Sequence, residues 1–158
     1  MDRETAVERL NDLLELEVHG LPCRLGEVQS YVDWADAGLT QVLERIAADG
    51  RDNQRRLSEE IVRLGGMPRP VSPDIRSARV HYLEARYLLP VLIEEEQRLV
   101  SAYQAAAGEF SSTSEAAGVV EEILVGHRVL LEELEAVAAP PVPAEARRSS
   151  PATQADDA

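Results

Sequence analysis

Four long stretches in which apolar residues recur at three- and four-residue steps, each closed by a break, dictate the fold class. The second is the clearest. Leu39, Val42 or Leu43, Ile46, Leu57, Ile61 and Leu64 share one face, and Gly65-Gly66 followed by Pro68 and Pro70 ends it. The first runs from about Thr5 to Tyr31 on Leu10, Leu13, Leu14, Leu21, Leu25 and Val28. The third follows an "SPD" N-cap at 72–74 and reaches about Ala107; the fourth follows Gly108 and "SSTSE" at 111–115 and reaches Val137. With no strand signal between them, these stretches predict an all-α four-helix bundle over residues 1–138. From Ala139 the chain is rich in Pro, Ala and Ser and has no apolar period, so residues 139–158 are expected to be a disordered tail. Pro22 and Pro90 fall inside the first and third helices, where each is expected to kink or break the helix; a break would make the third two pieces, with Pro90 at the first turn of the second.

Composition narrows the chemistry. The 158 residues carry 29 acids against 16 bases, a formal charge of −13, and every base is an arginine. Without lysine there is no Schiff-base chemistry through a lysine side chain; a GC-rich bacterial genome is the expected source of the bias, ahead of selection against a reactive amine. An acidic surface argues against nucleic acid as a partner, because binding there needs cations that displace counter-ions. Cys23 is the sole cysteine, which excludes an intramolecular disulfide and any cysteine-built metal cluster. No apolar run reaches the roughly 18 residues of a membrane span, and "MDRETAVERL" does not read as a signal peptide. The expectation is a cytoplasmic protein with no membrane partner.

The informative residues are those that do not belong on an apolar stripe. On the first helix Glu17 shares the face of Leu10, Leu13 and Leu21. On the second, Gly50 and Asn53 interrupt the stripe where core residues are due. On the third, Glu95 lines up with Leu88, Val91, Leu99 and Ala102, and Glu96 lies one step round beside Leu92 and Tyr103. On the fourth, His127 follows Leu124 in line with Val120, Leu131 and Leu134. A carboxylate alone in a core costs several kcal/mol or takes up a proton, so each of these acids requires a partner.

The pattern resembles the ferritin-like superfamily, the bacterioferritins and Dps mini-ferritins in particular. "LNDLLELEV" at 10–18 is similar to the first-helix ligand motif and places the ligand at Glu17; "LSEEIVRLGGMP" at 57–68 is similar to the end of the second helix; "ILVGHRVLLEELE" at 123–135 is similar to the fourth-helix motif, with His127 as its histidine. The resemblance implies a crossover between helices two and three, a homodimer or larger homo-oligomer, and a di-iron centre built from one Glu on each of two helices and a Glu-x-x-His pair on each of the others. On that alignment Gly50, Asn53 and Leu124 stand at ligand positions and cannot serve there. Glu17, Glu95 or Glu96, and His127 remain as an incomplete set of metal ligands. The Dps-type intersubunit site is also broken: Glu60 fits it, but Arg56 stands where its aspartate belongs.

Two functions are therefore expected, in order. The first is a ferritin-like bundle without a complete di-iron centre, a non-catalytic scaffold or interaction module with no cofactor. The alternative is an iron-binding oxidoreductase or iron-handling protein whose remodelled, mononuclear site uses Glu17, Glu95 or Glu96, and His127. Beside both stands a plain structural reading, a buried polar cluster in which His127 bonds one carboxylate and Arg24 or Arg98 neutralises the other, with the remaining acids of "IEEEQR" facing water. Gly50 has two readings as well: a close helix contact or a vacated ligand position.

Overall fold

The structure, a computed structural model, describes residues 2–20, 37–70, 85–110 and 114–139. These form four helices: α1 (Arg3–His19), α2 (Ala37–Arg63), α3 (Ala85–Glu109) and α4 (Glu115–Ala138). Two starts are capped as their sequences require. The Asp2 carboxylate accepts from Thr5 N–H at 2.8 Å and Ser114 Oγ from Ala117 N–H at 3.1 Å, each satisfying an amide that the helix cannot. α2 ends in a Schellman turn: Gly65 takes φ +72°, its N–H donates to Val62 O at 2.8 Å, and Gly66 N–H donates to Ile61 O at 2.9 Å. Only glycine suits both positions, because a Cβ on Gly66 would lie 2.4 Å from Val7 Cγ1.

Ion pairs fix the helix directions. Arg45, Arg56 and Arg63 on α2 pair with Glu133, Glu122 and Glu115 on α4, so every step up one helix is an equal step down the other. Those two helices are antiparallel. Arg9 on α1 meets Glu109 on α3 at 2.8 Å, which makes that pair antiparallel too. Arg3 donates to Leu64 O, setting the start of α1 beside the end of α2. α2 packs against α1 and α4, and α3 against α4 and α1, leaving α2 and α3 on a diagonal. Pro70 and Ala85 consequently lie at opposite ends of the bundle. This is the crossover topology that the sequence resemblance implies, not a simple up-down-up-down bundle.

The departure of the chain from α2 is fixed by a buried amide. Asn11 Nδ2 donates to Val7 O and, at 3.3 Å, to Met67 O, while Asn11 Oδ1 accepts from Arg69 N–H at 2.6 Å. That side chain is 4% exposed.

The apolar core divides in two. One part gathers Leu10, Leu13, Leu57, Ile61, Tyr103 and Ile123; the other gathers Leu39, Ile46, Leu88, Leu92, Leu130 and Leu134. Each buried Leu or Ile contributes about 1.5–3 kcal/mol. Between the two parts, on all four helices, lies a layer of polar side chains.

Two expectations about helix limits need correction. α3 is not divided at Pro90: it continues from Ala85 through the proline to Glu109. Pro90 sits on the exposed side of an early turn, and the buried Leu88, Leu89 and Leu92 around it hold the helix against the loss of one hydrogen bond. α1 stops at His19, with Gly20 in an extended conformation. Pro22, Leu21, Leu25, Val28 and Tyr31 of the expected first helix, the "SPD" cap and the tail beyond Ala139 lie outside the described residues.

Candidate functional site

The polar layer is built from one or two residues per helix. α1 supplies Glu17, α2 Asn53, α3 Glu96 and Tyr103, and α4 His127, all buried. Their spacing explains why they meet: Glu17, Asn53, Glu96 and His127 each lie one turn from a buried leucine of their own helix, so the packing that buries Leu13, Leu57, Leu92 and Leu124 also buries them.

His127 is the centre. Its Nδ1 lies 2.6 Å from Glu96 Oε1 and its Nε2 lies 2.8 Å from Glu17 Oε1. Burial alone would push the imidazole pKa down, but hydrogen bonds to Glu17 and Glu96, reinforced by their charges, outweigh it and raise the value to about 9. That shift favours the protonated ring at neutral pH, in which each nitrogen can donate to the carboxylate it faces. Glu17 Oε1 also accepts from Tyr103 O–H at 2.7 Å and from Asn53 Nδ2 at 3.3 Å. Burial, followed by the Glu17 charge and hydrogen bond, raises the Tyr103 pKa well above 10, so the phenol stays neutral. Its ring lies against the imidazole, centroids 5.0 Å apart and tilted by 41°. A pocket of about 170 Å³ on the α2/α4 seam, between Asp49, Arg56, Glu122 and Gly126, reaches Asn53 at the edge of this layer.

The candidate ligands named from sequence are separated by these contacts. Glu17, Glu96 and His127 are brought together. Glu95 is not: it turns toward the α1/α3 seam and pairs with Arg98 at 3.1 Å, beside a groove of about 410 Å³ that also contains Leu16 and Ala102. Arg98 therefore neutralises a surface acid, and Arg24 lies outside the described residues. Leu124 is buried and offers no donor atom. Gly50 is buried, yet a Cβ built on it meets no atom of the described residues within 4 Å. Among those residues it makes no close helix contact. Glu60, the acid expected of a Dps-type site, has both oxygens occupied by Arg63, at 2.7 and 2.5 Å. Tyr103 and Asn53 are the members whose roles the sequence reading did not assign, although it placed Tyr103 beside Glu96 on the helix.

A metal would fit this layer poorly. Glu17 and Glu96 address opposite edges of one imidazole, so each ring nitrogen is already engaged by a carboxylate oxygen. Among the described residues no group of three or more His, Cys, Asp or Glu side chains is disposed to hold a metal ion. No helix described is long and apolar enough to cross a membrane.

Antiparallel pairs joined by a crossover, with a charged layer through the middle, define the fold: a four-helix bundle of ferritin-like topology. A solved structure described as a ferritin-like, diiron-carboxylate protein from Bacillus anthracis str. Ames has the same fold, with a TM-score of 0.71 at 18% identity, covering 88% of this chain and 100% of that one. No protein-family model and no curated protein matches the sequence.

Proposed function

We propose that this protein is a non-catalytic ferritin-like bundle, a scaffold or interaction module that has kept the fold and given up the di-iron chemistry. The observation that carries this reading is the placement of His127 between Glu17 and Glu96, with both ring nitrogens engaged. A di-iron centre needs bridging and terminal carboxylates for two hard cations. On the resemblance to such bundles, Gly50, Asn53 and Leu124 stand at half of the six-ligand set that they use. The same reading takes the molecule as a cytoplasmic homodimer or larger homo-oligomer that binds neither nucleic acid nor membrane, in keeping with its charge of −13.

The alternative, an iron-binding protein with a remodelled mononuclear site, has one observation in its favour: Glu17, Glu96 and His127 do converge. It requires the imidazole to leave one carboxylate before the other two ligands can share an ion.

Aerobic titration with Fe(II), following both iron oxidation and bound iron, separates the two. The scaffold reading expects neither to exceed the level of Glu17→Ala. Stoichiometric iron in the wild type that disappears in Glu17→Ala would establish the alternative. Light scattering during size-exclusion chromatography reads the oligomeric state independently.

A further inference from the structure

The disagreement between this layer and a metal site has a positive side. We infer that the His127 imidazolium is the resident cation of the core, and that its two N–H bonds, rather than a metal ion, hold Glu17 and Glu96 across the bundle. The inference deepens the scaffold reading and rests on it.

The chemistry of the surroundings supports this in three ways. First, Tyr103 O–H and the Asn53 amide donate to Glu17 Oε1, and His127 sets one ring nitrogen against Glu17 and the other against Glu96, a placement that satisfies both carboxylates only when each nitrogen carries a hydrogen. A metal ligand needs lone pairs directed at one empty point, whereas these lone pairs already receive hydrogens. Second, a cation larger than a proton would have to break three contacts at that oxygen at once. Each charge-assisted hydrogen bond of this kind contributes more than a neutral one, and breaking one strands a buried partner. Third, α2 presents to the Glu17 carboxylate the amide hydrogen of Asn53, where a histidine lone pair or a carboxylate would have invited an ion. Tyr103, packed on the imidazole face, closes that side of the layer. The result is a cluster with two carboxylates and one imidazolium, satisfied by the chain itself. Arg56 is near enough for its charge to be felt at Tyr103.

The direct test is nitrogen NMR of the full chain labelled in its histidine rings, at neutral pH, with Zn(II) and then anaerobic Fe(II) added in equimolar amount. One ring should show two protonated nitrogens in slow exchange with water. Loss of that signal in His127→Gln assigns it; should that variant fail to fold, Glu96→Gln assigns it by shifting the same resonances. Neither metal should move those signals or the thermal midpoint, and a chelator should leave the midpoint unchanged. A ring with one bare nitrogen, or a midpoint raised by either metal, overturns the inference. The outcomes remain distinguishable from those of the scaffold reading. A neutral His127 without iron oxidation sinks only the inference, whereas iron oxidation by a protein whose His127 is doubly protonated sinks only the scaffold reading.

Discussion

Glu17 and His127 stand 110 positions apart in the chain and 2.8 Å apart in the bundle. The contact joins diagonal helices through the middle of the core, where neither partner has water to fall back on. Replacing His127 with Ala leaves Glu17 and Glu96 buried without their shared cation. Removing one partner of a buried ion pair costs about 3–5 kcal/mol, and urea denaturation of His127→Ala should show a loss in that range. A loss below 1 kcal/mol would mean that the carboxylates find other partners.

The raised pKa of His127 makes stability depend on pH, and its sign is definite. The group titrates near 6.5 when unfolded and at about 9 when folded, so folding favours the protonated ring. Its contribution is complete below pH 6.5 and is lost as the pH rises through 9. The difference corresponds to about 3 kcal/mol at most. Thermal midpoints measured from pH 6 to pH 10 should fall across that window in the wild type and stay flatter in His127→Gln.

Tyr103→Phe keeps the ring against His127 and removes only the O–H that donates to Glu17. A hydrogen bond to a charged acceptor contributes about 1.5–3 kcal/mol. The variant should fold, with a lower denaturant midpoint and an unchanged m-value.

The neighbouring acids of "IEEEQR" should separate cleanly. Glu96→Ala strands His127 in the core and should cost about 3–5 kcal/mol, while Glu95→Ala breaks only a surface pair with Arg98 and should cost about 0.5 kcal/mol or less. Equal losses in parallel urea titrations would contradict the inward assignment of Glu96.

Two glycines predict opposite signs. Gly50→Ala adds a helix former where no described atom is within 4 Å of the new methyl, and should stabilise by about 0.5–1 kcal/mol. Gly66→Ala drives a methyl into Val7 and should destabilise. Thermal melts of the pair suffice.

The bundle was legible in the sequence because apolar period and breaks coincide: the α2 terminus at Gly65-Gly66 and the α4 cap at Ser114 fall where expected. Glu17 and His127 were legible as polar interruptions in otherwise clean stripes. The choice between Glu95 and Glu96 was not, because α3 carries apolar residues over a wide arc and adjacent positions differ by about 100°. Val91 and Ala102 drew the face toward Glu95, but Val91 is 41% exposed and the buried line runs through Leu92, Glu96, Leu99 and Tyr103. Pro90 misled for a related reason: packing on both sides of a proline overrides a local rule that a sequence states in isolation. The hydrogen bonds of Asn11 and Asn53 reach residues on other segments, and nothing in their local spacing announces them.

The crossover gives the molecule a seam along which it could be taken apart. α1 with α2 and α3 with α4 are two antiparallel hairpins, and the charges are unevenly shared between them: the first brings the carboxylate of Glu17, the second a ready-made Glu96–His127 pair lacking its second acceptor. Cut within residues 71–84, the chain would yield two fragments, each the missing complement of the other. Their reassociation would be guided by the surface pairs of Arg9, Arg45, Arg56 and Arg63 and sealed, among the described residues, by one buried bond between opposite charges.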